Sequence, residues 1–132
     1  MKFLVLAIVV IAATAVSAVS EDKKAQLKAY GKECVESTGV DTKLITALRA
    51  GSITDDQKLK EFIACVWQKT GSLKADGTFD KAVIARDLAD NKVVSDVALK
   101  CADVTGPTAA DTAFLSYKCF RANLPADYKA PW

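Results

Sequence analysis

The chain holds four cysteines, Cys34, Cys65, Cys101 and Cys119, and they follow an N-terminus built like an export signal. Lys2 opens it, Phe3 to Val16 is almost wholly apolar, and Val16-Ser17-Ala18 supplies small residues for cleavage. This order predicts a signal peptide over residues 1–18, cut after Ala18 or, as second choice, after Ser20, and a mature domain over residues 19–132. An apolar run of about 14 residues falls short of the roughly 20 needed to span a bilayer, so no stable membrane insertion is expected. In an exported, extracellular chain an even number of cysteines reads as a disulfide framework. Two cross-links in one small domain are the strongest constraint on what this sequence can become.

Without its leader the chain has 114 residues, the size of one domain. Lys2 is the only charge lost, which leaves 17 basic against 16 acidic side chains. The signs alternate along the sequence, with no Lys/Arg stripe to neutralise phosphates, so nucleic acid is not an expected partner. A polybasic membrane patch is absent as well. The chain has no histidine, which removes the commonest general base and metal ligand and rules out Ser/His/Asp and Cys/His nucleophilic sites. The cysteines form no Cys-x-x-Cys pair, so zinc has no ligand set. The expectation is a non-enzymatic protein with neither cofactor nor metal.

Helical periodicity runs through the mature domain. Leu27, Tyr30, Gly31, Cys34 and Val35 recur at three- and four-residue steps, predicting a first helix from Glu21 to about Ser37. Asp41 is placed to cap a second, with Leu44, Ala47 and Leu48 inward and Gly51 ending it. A third starts at Thr54 or Asp55, carries a stripe of Leu59, Phe62, Ile63 and Val66, and stops at Gly71. A turn-rich stretch, Gly71 to Gly77, leads to a fourth helix around Phe79–Asn91 with Val83, Ile84 and Leu88 apolar. The fifth, Val93–Asp103, has Val94, Val97, Ala98 and Cys101 on one face. After Gly106-Pro107, Thr108 stands three residues before Asp111 as the N-cap of a last helix buried through Ala110, Ala113, Phe114, Tyr117 and Leu124. No run alternates with period two. The fold class is all-α, a compact bundle of about six short helices.

Four cysteines allow three pairings, and counting alone does not choose among them. Helix placement favours Cys34–Cys65, on the inner sides of the first and third helices, and Cys101–Cys119, on the neighbouring fifth and sixth.

With its order of cysteines and helices, the chain resembles the insect odorant-binding proteins of the pheromone-binding and general-odorant-binding type over essentially the whole mature domain. In that family six cysteines are bridged first to third, second to fifth and fourth to sixth. Cys34 and Cys65 align as the first and third, Cys101 and Cys119 as the fourth and sixth. Glu61 stands where the second would be and Ala110 where the fifth would be. Both missing positions belong to one bridge, which is the pattern of the four-cysteine "minus-C" subgroup. The segment from Gly71 to Phe79 resembles the family's turn after the third cysteine, and Lys118-Cys119 its approach to the last. The resemblance implies the same pairing that helix placement favours. It also implies more freedom between the third and sixth helices, which lack their cross-brace.

Short helices crossing at wide angles leave space between them, and such spaces are common binding pockets. The resemblance therefore implies a carrier of small hydrophobic ligands such as odorants, pheromones or fatty acids. Its cavity is expected to be lined by Leu48, Phe62, Val66, Ile84, Leu88, Val97, Phe114 and Tyr117. Taken one at a time, each of these reads as ordinary core. Trp132, a large aromatic after Pro131, is a candidate lid over the pocket. Trp67 adjoins Val66 but points off the stripe, which predicts partial exposure rather than a ligand platform, and Glu61 is expected to face solvent or to reach Lys60 or Lys69. Without histidine, no imidazole switch can release a ligand. Rival readings are an abundant haemolymph or seminal protein without a specific ligand, and a saposin-like lipid-interacting protein, whose usual six cysteines do not fit. The assembly expected is a monomer or weak homodimer, and the sequence names no receptor.

Overall fold

A computed structural model describes residues 23–125. The expected signal peptide, with both of its cleavage points, and Trp132 lie outside the described residues. Those residues form an all-α bundle: α1 (23–38), α2 (Thr42–Arg49), α3 (Gln57–Thr70), α4 (Lys81–Asp87), α5 (Lys92–Cys101) and α6 (Ala109–Asn123).

Side-chain caps set where the helices begin. An N-cap oxygen accepts one of the amide protons that the first turn leaves unpaired. Asp41 accepts from the Lys43 N–H, Asp56 from Leu59, Asp80 from Ala82 and Val83, Asn91 from Val94, and Thr108 from Asp111. Helix α3 therefore starts after Asp56 rather than at Thr54 or Asp55. The fourth helix is shorter than its apolar pattern suggests: Asp80 opens it, Leu88 already closes it, and Asn91 restarts the chain as α5. Gly71 ends α3 in the left-handed region (φ 86°), where a residue without a Cβ is at least strain.

Among α2 to α6, helices α3 and α6 share the broadest contact, and α5 lies against both α4 and α6. Leu59, Phe62 and Ile63 of α3 meet Ala113, Phe114 and Tyr117 of α6, with Ile45 and Leu48 of α2 and Leu73 of the α3–α4 loop completing the core. Two disulfides tie the periphery to this centre. Cys34–Cys65 joins α1 to α3, with Cα atoms 5.8 Å apart. Cys101–Cys119 joins α5 to α6, with Cα atoms 5.7 Å apart. No helix among the described residues is long and apolar enough to cross a membrane.

At the positions without cysteine, Glu61 is exposed and takes a hydrogen bond from Gln57, 3.5 Å away, while Lys69 pairs with Glu33 instead. The next residues along each helix hold the α3–α6 seam. Lys60 Nζ lies 3.1 Å from Asp55 and 3.5 Å from Asp111, and 5.0 Å over the Phe114 ring. The hydrogen bond to Asp55, reinforced by the charges of Asp55 and Asp111 against a smaller effect of burial, raises the Lys60 pKa above its ordinary 10.5. Because the folded value is the higher one, the stability that protonated Lys60 adds is fully present below pH 10.5 on the lysine side and is lost as pH climbs through the raised value. A Lys60→Met variant, which keeps the apolar stem, is expected to unfold at lower urea than the parent. That gap should narrow in about 1 M NaCl, where screening weakens the parent's ion pairs; a salt-independent gap would point to packing instead.

Candidate ligand-binding site

The bundle encloses a cavity of about 1270 Å³ that opens to solvent. This exceeds the roughly 300–1,000 Å³ of ordinary small-molecule pockets. Its apolar wall follows from the helix faces. Turning Leu59 and Ile63 into the core brings Phe62, Val66 and Trp67 of α3 to the hollow. Ile84 and Leu88 come from the α4 segment, Val94 and Ala98 from α5, Tyr117 and Phe120 from α6, and Leu27, Tyr30 and Val35 from α1. The turn after α3 adds Phe79. There Lys74 N–H donates to Thr78 O at 2.8 Å and Asp80 N–H to Ser72 O at 2.8 Å. This narrow reversal buries Leu73 and sets Phe79 beside the cavity.

Four aromatic rings form one continuous surface. Trp67 meets Phe79 edge-on with centroids 5.7 Å apart, Tyr117 lies 6.2 Å from Trp67, and Phe120 lies 6.5 Å from Tyr117. Such tilted contacts suit the quadrupoles of the rings and hold them rigid. Sequence reasoning passed over Trp67 as a platform. It is half-buried, as its place off the stripe predicts, yet it belongs to the wall.

Of the sequence candidates, Phe62, Val66, Ile84, Leu88 and Tyr117 lie on the wall together. Leu48 is fully buried in the core, away from the lining, and Phe114 is buried under Lys60 and Lys118. Val97 is half-buried on α5 and also stands off the lining, which takes Val94, Ala98 and Cys101 from that helix.

The polar groups of the wall fall into two sets. In the first, four hydroxyls give their protons to the backbone: Thr46 donates to Thr42 O (3.2 Å), Thr70 to Trp67 O (2.9 Å), Ser72 to Trp67 O (3.2 Å) and Ser116 to Cys101 O (2.9 Å). Among the described residues, no buried side-chain nitrogen or oxygen lacks a partner. The second set is charged and sits at the rim, including Lys24, Lys28 and Lys32 of α1, Arg49 of α2, and Arg86. No group of three or more acids or cysteines among the described residues is placed to hold a metal.

The PBP/GOBP family pattern matches residues 16–123, most of the chain. The chain belongs to the PBP/GOBP family. It is 32% identical to the B1 protein of Tenebrio molitor over 117 residues, covering 84% of this chain and 88% of that protein. The fatty acid binding protein OBP56a from the oral disk of the blowfly Phormia regina superposes with a TM-score of 0.64 at 31% identity, over 78% of this chain and 92% of its own. Locusta migratoria odorant-binding protein lmigOBP1 shares the fold (TM-score 0.68, 21% identity, 76% and 80% covered). Two disulfides, with Glu61 and Ala110 at the remaining bridge positions, fit the minus-C branch of the PBP/GOBP family. Family membership, rather than any absent motif, makes this a binding protein and not an enzyme.

Proposed function

We propose that this chain is a secreted extracellular carrier that holds small hydrophobic ligands in the cavity between its helices. The observation behind this reading is the wide apolar hollow walled by Trp67, Phe79, Tyr117 and Phe120. Removing apolar ligand surface from water supplies about 25 cal/mol per Å² before ordering costs, and this is the driving force for binding. The name of the blowfly relative, a fatty acid binding protein, supports the same ligand class. Secretion follows from the N-terminal pattern, with removal of residues 1–18 as the expected processing step.

A fluorescent apolar probe should bind the mature protein and be displaced by medium-chain alcohols, esters or acids. Failure of every such compound to displace it would overturn the carrier reading. With no histidine in the chain, affinity for a neutral ligand should stay flat between about pH 6 and 8. A steep change in that window would place the control of release in groups other than imidazole.

A further inference from the structure

Within the carrier reading, on which this step rests, we propose that the preferred guest is a single-chain amphiphile with an anionic head group, its tail in the aromatic interior and its head against Lys28 and Lys32. Three observations carry this. First, the hydroxyls of Thr46, Thr70, Ser72 and Ser116 already donate to backbone carbonyls, so the interior has little to offer a polar head and directs it to the mouth. The exceptions are the Thr42 hydroxyl, the Trp67 indole N–H and the half-buried Tyr30, which lines the hollow and whose hydroxyl has no partner among the described residues. Each can donate to an alcohol or an anion alike, so none selects between them.

Second, the charge at the mouth is unbalanced. The acids on the described wall are Asp87 and Asp90, and both are engaged: Asp87 by Arg86 at 3.1 Å, Asp90 by Lys23 at 4.0 Å. Lys28 and Lys32 line the same cavity, are exposed, and have no acidic partner among the described residues.

Third, the lysines stand in a row. Lys24, Lys28 and Lys32 are four residues apart on one flank of α1, and like charges at that spacing repel and destabilise a helix. Lys24 has a contact of its own and Glu36 stands one turn beyond Lys32, so it is at Lys28 and Lys32, in the middle of the row, that an anion would relieve the repulsion. Lysine binds as a compact point charge, so carboxylate and phosphate heads share the chemistry needed.

Displacement of N-phenyl-1-naphthylamine by dodecanoate, monododecyl phosphate and dodecan-1-ol tests the proposal at about pH 7.4, where the acid is ionised. At least one anion should compete about five- to tenfold better than the alcohol, the gain expected from two exposed charge contacts. The ratio between the two anions identifies the head. In a K28Q/K32Q variant the advantage of the anion over the alcohol should vanish, and about 0.5 M NaCl should have the same effect on the parent. Equal competition by anion and alcohol, or an anion preference that survives K28Q/K32Q, would overturn the proposal and leave the carrier reading standing. Displacement by none of the three would overturn both.

Discussion

A variant carrying Cys34→Ser and Cys65→Ser should melt about 10–20 °C below the parent in a thermal unfolding experiment followed by circular dichroism. The bridge spans 31 residues, and closing such a loop in the unfolded chain is worth about 3–4 kcal/mol in the loop-entropy treatment. For a domain of this size each kcal/mol moves the midpoint by about 4 °C or more. The effect on the site should exceed the effect on the fold. Helix α1 carries Leu27, Tyr30 and Val35 of the wall, and this bridge is its covalent tie to α3. Probe binding should therefore fade at temperatures where most helicity remains. The Cys101–Cys119 bridge closes 18 residues, so its removal should cost slightly less and leave α1 in place. A drop of less than about 3 °C for the first variant would show that packing alone holds α1.

Replacing Leu48 with alanine should lower stability by about 2–5 kcal/mol, read as a shift of the urea midpoint at constant slope. Leu48 is fully buried in the cluster with Ile45, Leu59 and Phe62, so truncation removes packed atoms and leaves a void. Because Leu48 stands off the cavity lining, ligand affinity measured well below the melting temperature should be unchanged. A loss of affinity greater than about tenfold under those conditions would mean that the void communicates with the hollow past Ile45, the buried α2 residue on the lining.

The elements most legible in the sequence were those written in local chemistry. Asp41 and Thr108 announced their helices because a short polar oxygen before an apolar run has one good use, and Gly71 announced the end of α3 for the converse reason. The stripe of Leu59, Phe62 and Ile63 was equally plain. The fourth helix was overrun because Val83, Ile84 and Leu88 keep helical spacing up to the residue that closes it, and Asn91, taken for its last residue, is the cap of α5.

The site was less legible. A helical wheel separates inside from outside for one helix, but a hollow is bounded by several helices at once. Trp67 sits off the α3 stripe and still meets the cavity because Phe79, from a turn, and Tyr117, from α6, close the space beside it. By the same limit, Leu48, Val97 and Phe114 had the apolar character of wall residues, and nothing in their spacing told wall from core.

Four hydroxyls on the wall, those of Thr46, Thr70, Ser72 and Ser116, are already held by the protein's own carbonyls, which leaves the charged groups of the entrance as the part of the site least tied to folding. Exchanging side chains around the entrance can redirect this scaffold toward new cargo with little disturbance to its melting behaviour.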